Sequence, residues 1–263
     1  MEYTISNNVE VVPDGSAGPH NALKPGWNLA DWSLWAGHFQ NGDDLEALAS
    51  SSFGSSDWLW DGADTALFSK QTRMLLAIAL KVPDVVQLAG RNFQAVVCTK
   101  YQGQLLLHTA HNFSLARCQS SIYNSVDDEL FLVNVKKADS FEYDFSLQIF
   151  ENVCILFNNH AHVGWMLQQA SSYLISGAGP HQSRYATSAS KKSALRRYLG
   201  YFNEEAANRM EEEDPAIKEE LMAFLAELDQ KHDPQFASIS EGIANLLDGY
   251  FGIEPVRPTE PVA

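Results

Sequence analysis

Residues 128–150, DELFLVNVKKADSFEYDFSLQIF, hold the clearest periodic pattern in the chain. Phe141, Tyr143, Phe145, Leu147 and Ile149 alternate with Glu142, Asp144, Ser146 and Gln148, the period-two spacing of a strand with one face buried and one in water. The apolar LFLVNV before it predicts a second strand, joined to the first through KKADS as a hairpin loop. Downstream, NVCILF predicts a fully buried strand. Upstream, FQAVVCTKYQGQLLLHTA predicts two strands about a YQGQ turn. Residues 91–157 therefore read as a mainly antiparallel β region.

On either side the spacing turns helical. In GWNLADWSLWAGHF, Trp32, Trp35 and Phe39 stand three and four apart, which places them on one face of a short helix. DTALFSKQTRMLLAIALKV predicts a long helix, capped by Asp64 or Thr65 and stopped by Pro83, with PDVVQLAG adding a turn before Gly90. VGWMLQQASSYLI continues the helical pattern after the β region. SASKKSALRRYLGYF predicts a basic helix capped by Ser188 or Ser190. DPAIKEELMAFLAELDQKH is the strongest helix, with Asp214 as cap and Pro215 in its first position. SISEGIANLLDGYFG opens on the capping-box pair Ser238 and Glu241.

Segregated runs of this kind predict an α+β fold: N-terminal helices, a central mainly antiparallel β region and a C-terminal helical region. The expected organisation is a flexible N-terminal arm over residues 1–26 carrying one short strand at VEVV, a single α+β domain over 27–252, and a flexible proline-containing tail over 253–263. A sub-boundary near 176–190 sets off a C-terminal helical part at 188–252. At 263 residues with 45% hydrophobic and 19% charged content, the chain has the composition of a folded protein with a sizeable core. It carries no apolar run of membrane-spanning length and no secretory signal pattern at its start, so a cytoplasmic or intracellular location is expected. Cys98, Cys118 and Cys154 are odd in number and far apart, which predicts free buried thiols.

Charge is unevenly spread within a net of −15. Residues 201–263 hold fifteen acids and four bases, whereas no acid occurs between Glu151 and Glu204. Inside that gap, residues 181–198 carry Arg184, Tyr185, Lys191, Lys192, Arg196 and Arg197. Bases interleaved with tyrosine suit a nucleic-acid backbone, and equally suit the acidic surface of a neighbouring subunit. Trp27, Trp32, Trp35 and Phe39 are candidate aromatic anchors for such a subunit contact.

Catalytic signals are thin. His108 and His111 in HTAH, with His160 and His162 in NNHAH, are weak metal-ligand candidates, and no carboxylate stands at ligand-like spacing beside them. SGAGPHQSR lacks phosphate-loop spacing and follows a predicted helix, and no nucleophile turn of the GxSxG type occurs. No cofactor is expected. The sequence therefore points to a non-enzymatic, self-assembling structural protein, capsid- or nucleoprotein-like in logic, that uses its basic helix on other copies of itself or on nucleic acid, with no membrane partner. Two alternatives are an acidic adaptor or inhibitor that binds a basic protein, and a histidine-based metal-dependent enzyme.

Overall fold

The computed structural model describes residues 2–7, 9–16, 18–19, 24–55, 64–84, 86–89, 99–135, 141–175, 187–231 and 236–253. Among these the chain forms β1 (Tyr3–Ser6), β2 (Val9–Asp14), β3 (Gly26–Asn28), β4 (Ser33–Gly37), α1 (Gly42–Ser50), β5 (Ser52–Ser55), β6 (Thr65–Ser69), β7 (Leu75–Lys81) and β8 (Val86–Leu88). There follow β9 (Thr99–Gln102), β10 (Gln104–Leu107), β11 (Ser120–Asn124), β12 (Glu129–Val133), β13 (Phe145–Phe150), β14 (Val153–Asn158) and β15 (Ala161–Gln168). A 3₁₀ turn over Ala170–Tyr173 leads to β16 (Leu174–Ile175) and then to α2 (Ala189–Leu199), α3 (Glu204–Glu211), α4 (Pro215–Gln230) and α5 (Ala237–Phe251).

The strands build two mixed sheets, one of ten strands and one of six. In the larger, β15 is the centre. It pairs with β14 along one edge, and along the other with β12 and then, at Ala161, with β1. The sheet continues from β12 through β11 to β8, and from β14 through β13 to β9. On the β1 side it runs through β2 to β10. Because β9 and β10 are separated only by Gly103, one bent length of chain pairs first with β13 and then with β2. Six strand positions, β13, β14, β15, β1, β2 and β9–β10, thus close into a small barrel. Gly103 sits at the bend, where its N–H donates to the Gln148 carbonyl at 3.1 Å. A Cβ there would lie 2.3 Å from the Asp14 carbonyl oxygen, so only glycine allows the approach.

The six-stranded sheet, ordered β16-β3-β4-β7-β6-β5, is covered on both faces. Leu34, Ala36, Ala66, Phe68, Ile78 and Leu80 join the main core, whereas Trp35, Phe39, Leu67, Ala77 and Ala79 pack with Leu45 of α1. Helices α2, α4 and α5 add Leu195, Leu199, Ile217, Leu221, Phe224, Ile239 and Ile243 to the main core.

The expected N-terminal helices are overturned. Residues 64–82 are the antiparallel hairpin β6–β7, turned by Lys70–Thr72, with the Ser69 hydroxyl accepting the N–H groups of Gln71 and Thr72 at 3.2 and 3.1 Å. Trp32, Trp35 and Phe39 flank or occupy β4, residues 86–88 are β8, and α1 is the one α-helix before residue 175 among the described residues. Residues 3–14 form two strands of the large sheet, and VGWMLQQASSYLI is strand and 3₁₀ turn. For β4, β6 and β7 the physical cause is burial on both faces, which removes the period-two alternation and lets leucine and alanine mimic a helix. The expected hairpin between LFLVNV and the 141–150 segment is also absent, because β12 pairs with β11 and β15 while β13 pairs with β14 and β9. Parallel pairs at β1/β15, β8/β11, β9/β13 and β3/β16 make both sheets mixed. The C-terminal helices fall where the spacing places them. Ser188 caps α2 and Asp214 caps α4, but α5 begins after Phe236 with no side-chain cap, and Ser238 is buried inside its first turn. Cys118 and Cys154 are free and buried, and Cys98 lies outside the described residues.

Candidate functional site

The basic helix was the strongest sequence candidate, and its bases divide by helical position. Lys191, Ala194, Leu195, Tyr198 and Leu199 recur at i, i+3, i+4, i+7 and i+8 and form the buried stripe of α2. Lys191 is therefore fully buried and unavailable to any surface partner. Arg197 pairs with Glu227 of α4 at 3.1 Å and lies 4.1 Å over the Phe224 ring, which docks α2 on α4. Tyr198 is buried between Trp32 and Phe202, so it offers no stacking face to a base. Arg184 and Tyr185 lie outside the described residues, as do KKADS and SGAGPHQSR.

Lys192 and Arg196, one turn apart on the outer face, remain. The Lys192 Nζ donates to the Val126 carbonyl at 3.4 Å, and the Arg196 guanidinium to the Ser125 hydroxyl at 3.3 Å. Both reach the turn between β11 and β12. That turn is held from inside by Asp128, a left-handed residue at φ 61° that is buried under the sheet end. Its carboxylate accepts from the Tyr123 hydroxyl at 2.9 Å, from the Ser171 N–H and hydroxyl at 3.1 and 2.8 Å, and from Thr187 at 3.3 Å. Burial, with Asp128 beside it, holds the Tyr123 phenol well above its ordinary range. The tip itself is tied by Asn124, whose side chain accepts from the Val126 N–H at 3.1 Å and donates to Asp127 at 2.8 Å. The result is a rigid knob whose apex, Val126, is 75% exposed between two cations.

A second surface has the opposite character. A groove of about 420 Å³ runs between α3 and α5 below the end of α2. Phe202, Met210, Leu246 and Tyr250 line its walls, and Asp84 and Glu204 stand on its rim. Sequence reading missed both surfaces. The knob had a signal, since a lone valine in the turn-forming run YNSVDDE has no core to enter. The groove had none, because it joins residues from three separate segments.

The tryptophan cluster is not free for a partner within this fold. Trp27 is buried in the main core near Tyr123, Trp35 and Phe39 are buried beneath α1, and half-buried Trp32 stacks on Tyr198 and meets Phe202 edge-on. Nor do the four histidines converge. His108 contacts Glu2 at 3.3 Å, and with Glu10 these groups form an exposed cluster whose ligand atoms lie within 4.8 Å of one another. His160 bonds the Glu2 carbonyl at 3.2 Å through Nδ1. His162 turns the other way, between Phe157 and Trp165, and burial lowers its pKa to about 4. His111 is half-buried elsewhere. His160 and His162 do not share a strand, because His160 has φ 65° and belongs to the turn before β15.

In comparisons with known proteins, the chain matches no family model, no curated protein and no solved structure.

Proposed function

We propose that the chain is a non-enzymatic, self-associating subunit in which the Val126 knob of one copy, flanked by Lys192 and Arg196, seats in the acid-rimmed groove between α3 and α5 of another. The single observation that carries this reading is the knob: an exposed valine on a turn fixed by a buried carboxylate network and framed by cations. The groove supplies matching chemistry, apolar walls with Asp84 and Glu204 at the rim. Burying a valine contributes about 1.5–2 kcal/mol, and each exposed rim pair about 0–1 kcal/mol. A single contact is therefore weak, and association is expected to grow with protein concentration. Because the two patches differ, the contact either propagates head to tail or closes as a reciprocal pair.

Nucleic acid is the less favoured partner for these residues. With Lys191 buried and Arg197 paired, two described bases on α2 face outward. Two phosphate contacts correspond to a salt slope of only about −2.

Light scattering coupled to size exclusion, at rising protein concentration and at low and high salt, tests the proposal. Expected is a mass above that of one chain that falls with salt. Lys192→Glu with Arg196→Glu reduces it to a monomer, and Asp84→Lys with Glu204→Lys does the same. Mixing the two variants restores a complex. A monomeric wild type under all conditions overturns the reading. So does a raised 260/280 nm absorbance ratio that disappears in the K192E/R196E protein, which would assign the bases to nucleic acid.

A further inference from the structure

The mouth of the small barrel is a different surface and shares no residue with the knob or the groove. Where β9 splays from β2 beyond Gly103, the wall opens into a cavity of about 570 Å³. A row of rings crosses it. Tyr101 lies 5.2 Å from Phe145, Phe145 stacks on Tyr3 at 4.8 Å, and Tyr3 lies 5.1 Å from His160. Tyr101 is 53% exposed, which is unusual for a tyrosine on a strand, and it faces the cavity with Thr99 because alternate residues of β9 share a side. Lys100, between them, alternates to the opposite side and is not part of the lining.

Asp144 is the one carboxylate among the described lining residues. Its Oδ2 accepts the Asn159 N–H at 3.0 Å, which fixes the group at the end of the aromatic row. We propose that this mouth binds a quaternary or fully methylated ammonium group, held by the exposed outer face of Tyr101, which Phe145 and Tyr3 back from behind, and by the charge of Asp144. Ring faces carry negative quadrupole potential and attract a cation, best one that sheds its water easily. A methylated ammonium needs no hydrogen-bond acceptors, and the ring faces offer none. The net charge of −15 further favours a cationic ligand over an anionic one.

The test is a titration of the isotope-labelled full chain with choline, followed by amide chemical shifts, alongside its uncharged isostere 3,3-dimethylbutan-1-ol and alongside methylguanidinium. Expected is saturable binding of choline centred on Tyr101 and Phe145, with the neutral isostere about tenfold weaker. Asp144→Asn keeps an acceptor for the Asn159 N–H and is expected to lose about tenfold in choline affinity. Tyr101→Ala is expected to lose several-fold, while Tyr101→Phe, which keeps the ring face, binds like wild type. Equal binding of the isostere, tighter binding of methylguanidinium, an unaffected Asp144→Asn protein, or no saturation in the millimolar range would each overturn the assignment.

Discussion

Asp64 shows how much a single side chain can change meaning between a sequence and a fold. By spacing it reads as a helix cap. In the structure it is fully buried where the two sheets meet, bridged to Leu115, with its carboxylate accepting the N–H of Lys81 at 2.9 Å and of Cys118 at 3.4 Å. Burial pushes its pKa up to about 7, against the pull of those donors and of Arg117, and burial also raises the Cys118 thiol beside it. The native state thus holds a proton that the unfolded chain releases near pH 4, so Asp64 lowers stability as pH rises from about 4 to about 7. His162 acts in the opposite sense: its folded pKa of about 4 lies below the ordinary 6.5, so its contribution is present above pH 6.5 and fades as pH falls towards 4. Asp64→Asn mimics the protonated acid. Its unfolding free energy should gain on that of wild type by a few kcal/mol between pH 4 and pH 8. A gap that does not change with pH would refute this account. Lys191 gives the complementary lesson, since its place on the stripe with Ala194, Leu195 and Tyr198 was legible in the spacing and outweighs its charge.

At the scale of elements, capping and amphipathic spacing were legible where a helix meets solvent on one side. The α4 helix is the example. The Asp214 side chain accepts the Ala216 N–H at 2.9 Å and also holds Arg209 at 2.7 Å. Asp214→Ala should lower stability measurably, mainly through the lost cap, since the ion pair is solvent-screened. Asp214→Asn, which keeps the capping oxygen, should recover most of the loss. Equal losses in the two variants, measured by thermal or denaturant unfolding, would mean that the cap is not what matters. The strands β6 and β7 were illegible for a physical reason: neighbours cover both of their faces over most of their length, so no polar residue marks the alternation. Of the alternating stretch 141–149 only Phe145 onward is strand, and β13 is not the one-sided strand expected, because Ser146 on its polar side is buried while Phe145 on its apolar side is half-buried. Its partners were not legible, because pairing between strands remote in sequence leaves no local trace.

For the whole molecule, closure of the barrel rests on one bend. Gly103→Ala places a Cβ against the Asp14 carbonyl, and the backbone must part there. A loss of about 2 kcal/mol or more is expected, with faster amide exchange along β2 and β10. Unchanged exchange would show that β9 and β10 do not depend on this approach. The candidate surfaces are likewise properties of the assembled fold. Val126 was visible as an oddity of the sequence, but the groove and the barrel mouth each gather residues from remote parts of the chain.

The pairing of Thr4 with Ala161 has a consequence in time. On a ribosome adding roughly 5–20 residues per second, β1 emerges on the order of ten seconds before the strand that will flank it. For that interval Tyr3, Ile5, Val9 and Val11 have no barrel to enter. Strands β1 and β2 are thus made well before the neighbour that shelters them, and their apolar faces stay open to water until β15 is complete.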